Sequence, residues 1–144
     1  MKKKAPQNEK SGIGIVRVRT PGGGYPIYVG ASAADVLPGE LKRISKECRV
    51  LIVTDRNVAV LHIEPLLDAV RRAGMDADAF IIPSGERFKT FATWKRIIER
   101  LSEMDDKRDL VVCALGGGVV GDLAGFAAAS YRRGISYVQI PTTL

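Results

Sequence analysis

Apolar residues in this chain fall into two alternating patterns. In one, they come in short dense runs: Arg49–Thr54 (RVLIVT), Ala77–Pro83, Leu110–Leu115 (LVVCAL) and Ser136–Ile140. Runs of this length between turn residues predict strands. In the other, they recur every three or four positions. Leu66, Leu67, Val70 and Ala73 share one face of a helix predicted over Val58–Ala73, with Gly74 as its stop. Trp94, Ile97, Ile98 and Leu101 do the same for Phe91–Met104, and Val119–Ser130 reads as a third helix. The runs LIV and LVVCAL are apolar without a break, which fits parallel strands covered on both faces. The expected fold is therefore α/β, a Rossmann-like and mostly parallel sheet with flanking helices.

The first third of the chain reads differently. Ile13–Val18 and Tyr25–Val29 flank a Pro-Gly-Gly-Gly stretch at 21–24, which predicts an N-terminal β-hairpin. Ser32–Ser45 reads as a helix with Ser32 as its N-cap and Pro38 as a break. Residues 1–12 are expected to be a basic flexible tail and residues 13–144 one domain. A chain of 144 residues is long enough for a real core.

Charge adds little to the site. The net charge is +6, and the four lysines at 2, 3, 4 and 10 against Glu9 place +3 of it in the first ten residues. The rest is scattered, with no basic stripe among aromatics, so no nucleic-acid partner is expected. No apolar run reaches the roughly 20 residues that span a bilayer, and no signal-peptide stretch follows the basic start. The expectation is a cytoplasmic protein with no membrane partner. Cys48 and Cys113 read as buried free thiols, and they and the single His62 make no metal set.

The chemistry concentrates at four successive strand ends, where open parallel sheets bind ligands. Gly116, Gly118 and Gly121 spell G-x-G-x-x-G between a strand and a helix. Glycine there admits a phosphate to the backbone and to the free N–H groups of the helix start, or simply lets helix and sheet pack. The helix that follows is almost all small residues, which suits close packing in either case. The pattern sits on a late strand, and the next strand ends in Pro141-Thr142-Thr143, so the site differs from an ordinary dinucleotide fingerprint. Asp122 would repel a diphosphate and suits a neutral donor such as a carboxamide or hydroxyl; otherwise it is a first-turn charge. In PSGERFKT (83–90), Ser84 and Gly85 bend the chain, Glu86 can accept from a ribose diol, Lys89 can meet phosphate or substrate, and Thr90 is an N-cap. Asp55 ends its strand either as an acceptor for an adenosine ribose or as the N-cap of the next helix. The hydroxyls of Thr142 and Thr143 can touch a cofactor, or they form a turn after Pro141.

LGGGVVGDLAGFAAASYRRG followed by YVQIPTTL, with PSGERFKT upstream, resembles the N-terminal domain of the 3-dehydroquinate synthases, sugar-phosphate cyclases. The resemblance runs from about Ile13 to the end. It implies NAD contacts from Asp55, from Ser84, Gly85, Glu86, Arg87, Phe88 and Lys89, from Gly117, Gly118, Val119, Val120, Gly121 and Asp122, and from Thr142 and Thr143. It places Arg133 near the substrate phosphate, in its own or a partner subunit's site, with a homodimer as the family expectation. An arginine fork suits phosphate, although a basic helix end also explains Arg132 and Arg133. Arg87 and Phe88 fill positions that vary in the family motif.

The full-length activity implied is conversion of 3-deoxy-D-arabino-heptulosonate 7-phosphate to 3-dehydroquinate and phosphate in the shikimate pathway. It proceeds by transient oxidation with NAD, phosphate elimination, reduction and intramolecular aldol closure. The family's divalent metal, zinc or cobalt, is held by a glutamate and two histidines of a helical domain that this sequence lacks, so the expectation is a fragment that does not catalyse alone. Rival readings are another NAD-dependent sugar-phosphate cyclase, a glycerol-dehydrogenase-like alcohol dehydrogenase, or a non-enzymatic nucleotide-binding module.

Overall fold

The computed structural model describes residues 7–8 and 12–143. The chain divides into two compact units between Leu37 and Pro38, inside the stretch read from sequence as one domain. The first unit is an antiparallel sheet of β1 (Gln7–Asn8), β2 (Ile13–Thr20) and β3 (Gly23–Val29), in that order. Gln7 and Asn8 pair with Gly14 and Ile13, so two residues of the expected tail lie in a strand. The hairpin forms as expected, but its turn is tighter. Thr20 pairs with Gly23 and Arg19 with Gly24, leaving only Pro21 and Gly22 between the strands. A Cβ on Gly24 would lie 2.5 Å from the Val18 carbonyl oxygen, so only glycine fits there.

The helix expected over Ser32–Ser45 does not form as one element. A 3-10 turn covers Ala33–Val36, and α1 covers Leu37–Ile44. Ser32 makes no side-chain cap; its carbonyl accepts from Asp35 N at 3.0 Å. Pro38 sits in the first turn of α1, where a helix needs no backbone N–H.

The second unit alternates strand and helix: β4 (Arg49–Asp55), α2 (Arg56–Arg72), β5 (Asp76–Ile82), α3 (Phe91–Met104), β6 (Leu110–Gly116), α4 (Gly118–Ser130) and β7 (Ser136–Pro141). All four strands are parallel, in the order β5-β4-β6-β7. The central pair explains itself from composition. Every residue of β6 is buried, as are Val50–Thr54 of β4, so both faces need apolar side chains. Leu51 and Val53 of β4 and Val112 and Ala114 of β6 join α3 and α4 in one core, with Ile97 and Leu101 fully buried. Truncating Leu101 to alanine would cost about 2–5 kcal/mol. α2 starts two residues before the expected Val58 because Asp55 caps it, and it continues through Pro65.

The topology chooses a place for a ligand. From β4 the chain steps to β5 on one side, then returns past β4 to β6 on the other. Such a reversal leaves a crevice at the C-terminal ends of the two strands that flank it, here β4 and β6. Asp55 ends β4 and Gly116 ends β6.

Candidate functional site

The glycines at the end of β6 divide into two groups. A Cβ on Gly116 would lie 2.8 Å from Val120 Cγ2; one on Gly117 would lie 3.0 Å from Thr143 Oγ1; one on Gly121 would lie 3.1 Å from the Gln139 side chain. These three are small because protein atoms crowd them. Gly118 has nothing within 4 Å of its Cβ position and is exposed. It is also the first residue of α4. Gly117, as N-cap, offers no side-chain acceptor, and Gly121 N is the first to reach back, to Gly117 O at 3.0 Å. The N–H groups of Gly118, Val119 and Val120 therefore have no acceptor within the helix, and they carry its positive dipole end. The Val120 side chain is buried beneath Gly116, so only its backbone can serve a ligand.

Asp122 is not a first-turn charge: α4 has no acidic residue in its first turn, and Asp122 opens the second. Nor does it face a neutral donor. The Lys89 ammonium lies 2.7 Å from its Oδ2 and 3.6 Å from Glu86 Oε1. The hydrogen bond and charge of Asp122, helped by Glu86, push the Lys89 pKa up. Lys89 reaches this position because the loop after β5 is wound tightly. Gly85 has φ +117°, a conformation that favours glycine. Glu86–Phe88 form a single 3-10 turn, closed by Phe88 N to Gly85 O and Lys89 N to Glu86 O, both at 3.0 Å. Within that turn the Arg87 guanidinium stacks 4.9 Å from the Phe88 ring centroid. Thr90 caps α3 as expected, accepting from Thr93 N at 3.2 Å.

Asp55 fills one of the two roles read from sequence as alternatives, the N-cap of α2. Its Oδ1 caps α2, accepting from Asn57 N at 2.8 Å and Val58 N at 3.2 Å. The same oxygen accepts from the Ser84 hydroxyl at 3.0 Å, across from the end of β5. Oδ2 has no hydrogen-bond partner among the described residues and remains free to accept.

Thr142 and Thr143 close the fourth strand end beside the glycines. Thr142 N donates to Gly116 O at 3.1 Å, and the Thr143 side chain lies against Gly117. Arg133 lies elsewhere. α4 carries the chain about 20 Å from its N-terminus before Arg133 follows, at 1.5 Å per residue, so Arg133 lies toward the far end of the sheet from the crevice of its own chain. Arg132 there pairs with Asp105, which also accepts from Tyr131 OH at 2.8 Å.

Two site-supporting residues inside YVQIPTTL were given no role by the sequence. Tyr137 OH donates to Gly121 O at 3.2 Å, and its ring fills the space left by Gly125. Burial, and then the charge of Asp122, raise its pKa. Gln139 packs on Gly121. Their alternation on a strand next to a small-residue helix, within that stretch, was the available signal.

A cleft of about 270 Å³ opens beside Lys89 and Asp122, walled by Phe91, Trp94 and Phe126. A larger one, about 570 Å³, lies at the opposite ends of β4 and β5. Its arginines are already engaged: Arg49 with Met104 O at 2.6 Å and with Asp106 and Asp78, and Arg71 twice with Ala77 O. That is a brace between strand starts. Among the described residues no group of three or more His, Cys, Asp and Glu can hold a metal ion. Both cysteines are buried, and burial pushes the Cys113 thiol up to about 12.

The family described as 3-dehydroquinate synthase N-terminal matches residues 79–144, which include the loop after β5, the glycines and the last strand end. A 3-dehydroquinate synthase of Coxiella burnetii is 42% identical over 120 residues, 83% of this chain and 32% of that protein. The matched residues belong to the N-terminal part of the 3-dehydroquinate synthase family. The chain spans about a third of the length of the curated relatives it matches. Among solved structures, 2-deoxy-scyllo-inosose synthase superposes with TM-score 0.79 at 21% identity, covering 90% of this chain and 36% of that one, and so shares the fold. The 2-epi-5-epi-valiolone synthase of Streptomyces hygroscopicus, solved with NAD+ and Zn2+ bound, superposes with TM-score 0.64 at 32% identity, covering 76% and 30%. The α/β reading with its N-terminal hairpin stands. No helix among the described residues is long and apolar enough to cross a membrane.

Proposed function

We propose that the second unit is the NAD-binding part of a 3-dehydroquinate synthase. The observation that carries this is Gly118: of the three glycines in the G-x-G-x-x-G pattern, it alone faces open space, at the start of a helix with unpaired N–H groups. An anionic pyrophosphate suits that position. Asp55 Oδ2 is the acceptor for a ribose hydroxyl. Ser84, Gly85, Glu86, Arg87, Phe88 and Lys89 make the wall on the β5 side, and Gly117, Val119, Val120, Gly121, Thr142 and Thr143 the opposite one. Asp122 and Lys89 present one acceptor and one cation where the nicotinamide half and the substrate would meet. When bound, NAD supplies a hydride acceptor for an alcohol of the substrate. The sugar-phosphate substrate, the divalent metal and its ligands, and the complete activity belong to the rest of the family's length.

A homodimer in the cytoplasm is part of this proposal. The distance of Arg133 from its own crevice supports a role for it in another subunit's site. Members of the family of cyclases that take other sugar phosphates share the NAD half, and the 32% identical valiolone synthase keeps that second reading open.

The test is phosphate release from 3-deoxy-D-arabino-heptulosonate 7-phosphate by the full-length protein, with NAD and zinc supplied. Release that needs both, with 3-dehydroquinate as product, supports the proposal. NAD binding without release would move the assignment to another cyclase substrate or to an alcohol dehydrogenase.

A further inference from the structure

Ser84 stands where two strand ends meet. β5 and β4 are neighbours, with Asp55 opposite Ile82, and Ser84 follows two residues later. Its hydroxyl donates to Asp55 Oδ1 at 3.0 Å and accepts from Asn57 N at 3.3 Å. One small side chain thus ties the loop carrying Glu86 and Lys89 to the start of α2, across 29 and 27 residues of sequence.

The tie matters for the carboxylate it holds. An N-cap aspartate is held by the helix N–H groups at one oxygen, with donors from a single element. The donor from Ser84 reaches Oδ1 from a different element. Three donors from two elements hold Oδ1 in place, and covalent geometry then sets where Oδ2 is offered. A fixed acceptor rewards a ribose 2′-hydroxyl, which can donate, and opposes a 2′-phosphate, which cannot be accommodated unless the carboxylate turns aside.

We infer that Ser84 is a positioning residue that sets cofactor discrimination at this site, by locking the Asp55 carboxylate so that a ribose 2′-hydroxyl is accepted and a 2′-phosphate is refused. The inference rests on the proposed nucleotide site. It gives Ser84, part of the proposed wall, a further role that acts through Asp55.

The experiment is fluorescence titration of NADH and NADPH against the full-length protein, as wild type and as Ser84→Ala, Ser84→Thr, Asp55→Asn and the Ser84→Ala/Asp55→Asn pair. Asparagine keeps a capping oxygen for α2, so the fold is retained, and melting curves check this. Ser84→Ala should weaken NADH about tenfold, the scale for a lost hydrogen bond to a charged group. It should also bring the NADPH and NADH dissociation constants closer together. Ser84→Thr, which keeps the hydroxyl, should restore the wild-type ratio. With Asp55→Asn in place, Ser84→Ala should leave the ratio where Asp55→Asn alone puts it. A ratio unmoved by Ser84→Ala overturns the inference, as does a full additional change in the double variant, which would mean that Ser84 acts independently of Asp55. A wild type that binds neither nucleotide overturns the nucleotide site itself, and this inference with it.

Discussion

Two glycines three atoms of backbone apart should respond in opposite ways to the same added methyl group. At Gly116 the new Cβ would meet Val120 Cγ2 at 2.8 Å and Val120 Cβ at 3.0 Å. Val120 is 1% exposed and packed in the core of α3, α4 and the sheet, so it cannot swing away. Overpacking of this kind costs about 1–3 kcal/mol. For a domain of this size that is a fall in Tm of roughly 3–10 °C. At Gly118 the Cβ would meet nothing within 4 Å, and the residue is already helical. Alanine there removes freedom from the unfolded chain and should be neutral or stabilising by up to about 1 kcal/mol. The same methyl would occupy the space in which a pyrophosphate would approach the helix N–H groups.

The assay is a melting curve and an NADH titration on each variant of the full-length protein. Gly118→Ala should keep or raise Tm while weakening NADH at least tenfold. Gly116→Ala should lower Tm, with any loss of NADH affinity following the loss of fold. If Gly118→Ala binds NADH as the wild type does, Gly118 is not the point of approach and the site has been placed wrongly. If both variants lose stability together, the separation of packing glycines from a ligand-facing one is refuted.

Three further outcomes follow from the same structure. Thr90→Ala removes the hydroxyl that caps α3 and should cost about 1 kcal/mol, seen as a Tm lower by roughly 2–4 °C, while Thr90→Ser recovers most of it. Arg108, bonded to Asp106, holds that carboxyl down at about 2. A folded pKa below the unfolded one stabilises at neutral pH and is lost as pH falls, so the Tm difference between wild type and Asp106→Asn should shrink between about pH 4 and pH 2, and more salt should shrink it at pH 7. With the Cys113 pKa pushed up to about 12 inside a fully buried strand, a disulfide reagent at pH 8 should label it only at the rate of unfolding; immediate labelling of Cys113 in the native protein would refute the burial of β6.

The fold was legible where residue type alone determines environment. LVVCAL has no polar position to offer solvent, and every residue of β6 is buried. The small residues of α4 announced close packing, and Tyr137 and Gln139 supply what they pack on. Legibility failed where partners are distant in sequence or where backbone does the bonding. Ser32 has the residue type of an N-cap, but the segment splits into a 3-10 turn and α1, and the Ser32 side chain makes no cap. Asp122 was counted into a first turn that starts one residue earlier than the sequence suggests, and the ammonium beside it comes from a loop 33 positions upstream.

The glycines and Asp55 show why pattern alone leaves packing and binding undecided. A glycine has no side chain by which sequence can reveal its neighbour, so G-x-G-x-x-G reads the same whether a valine, a threonine or a ligand fills the space. Only the register that sets β7 beside β6 brings Thr143 to Gly117 and Gln139 to Gly121, and by filling those places leaves Gly118 open. Asp55 had two competing readings because each needs an acceptor at a strand end. A carboxylate has two oxygens, and the cap uses one of them. Capping α2 and tying Ser84 both use Oδ1, and among the described residues Oδ2 has no partner, so at this residue the structural role leaves room for the proposed binding role.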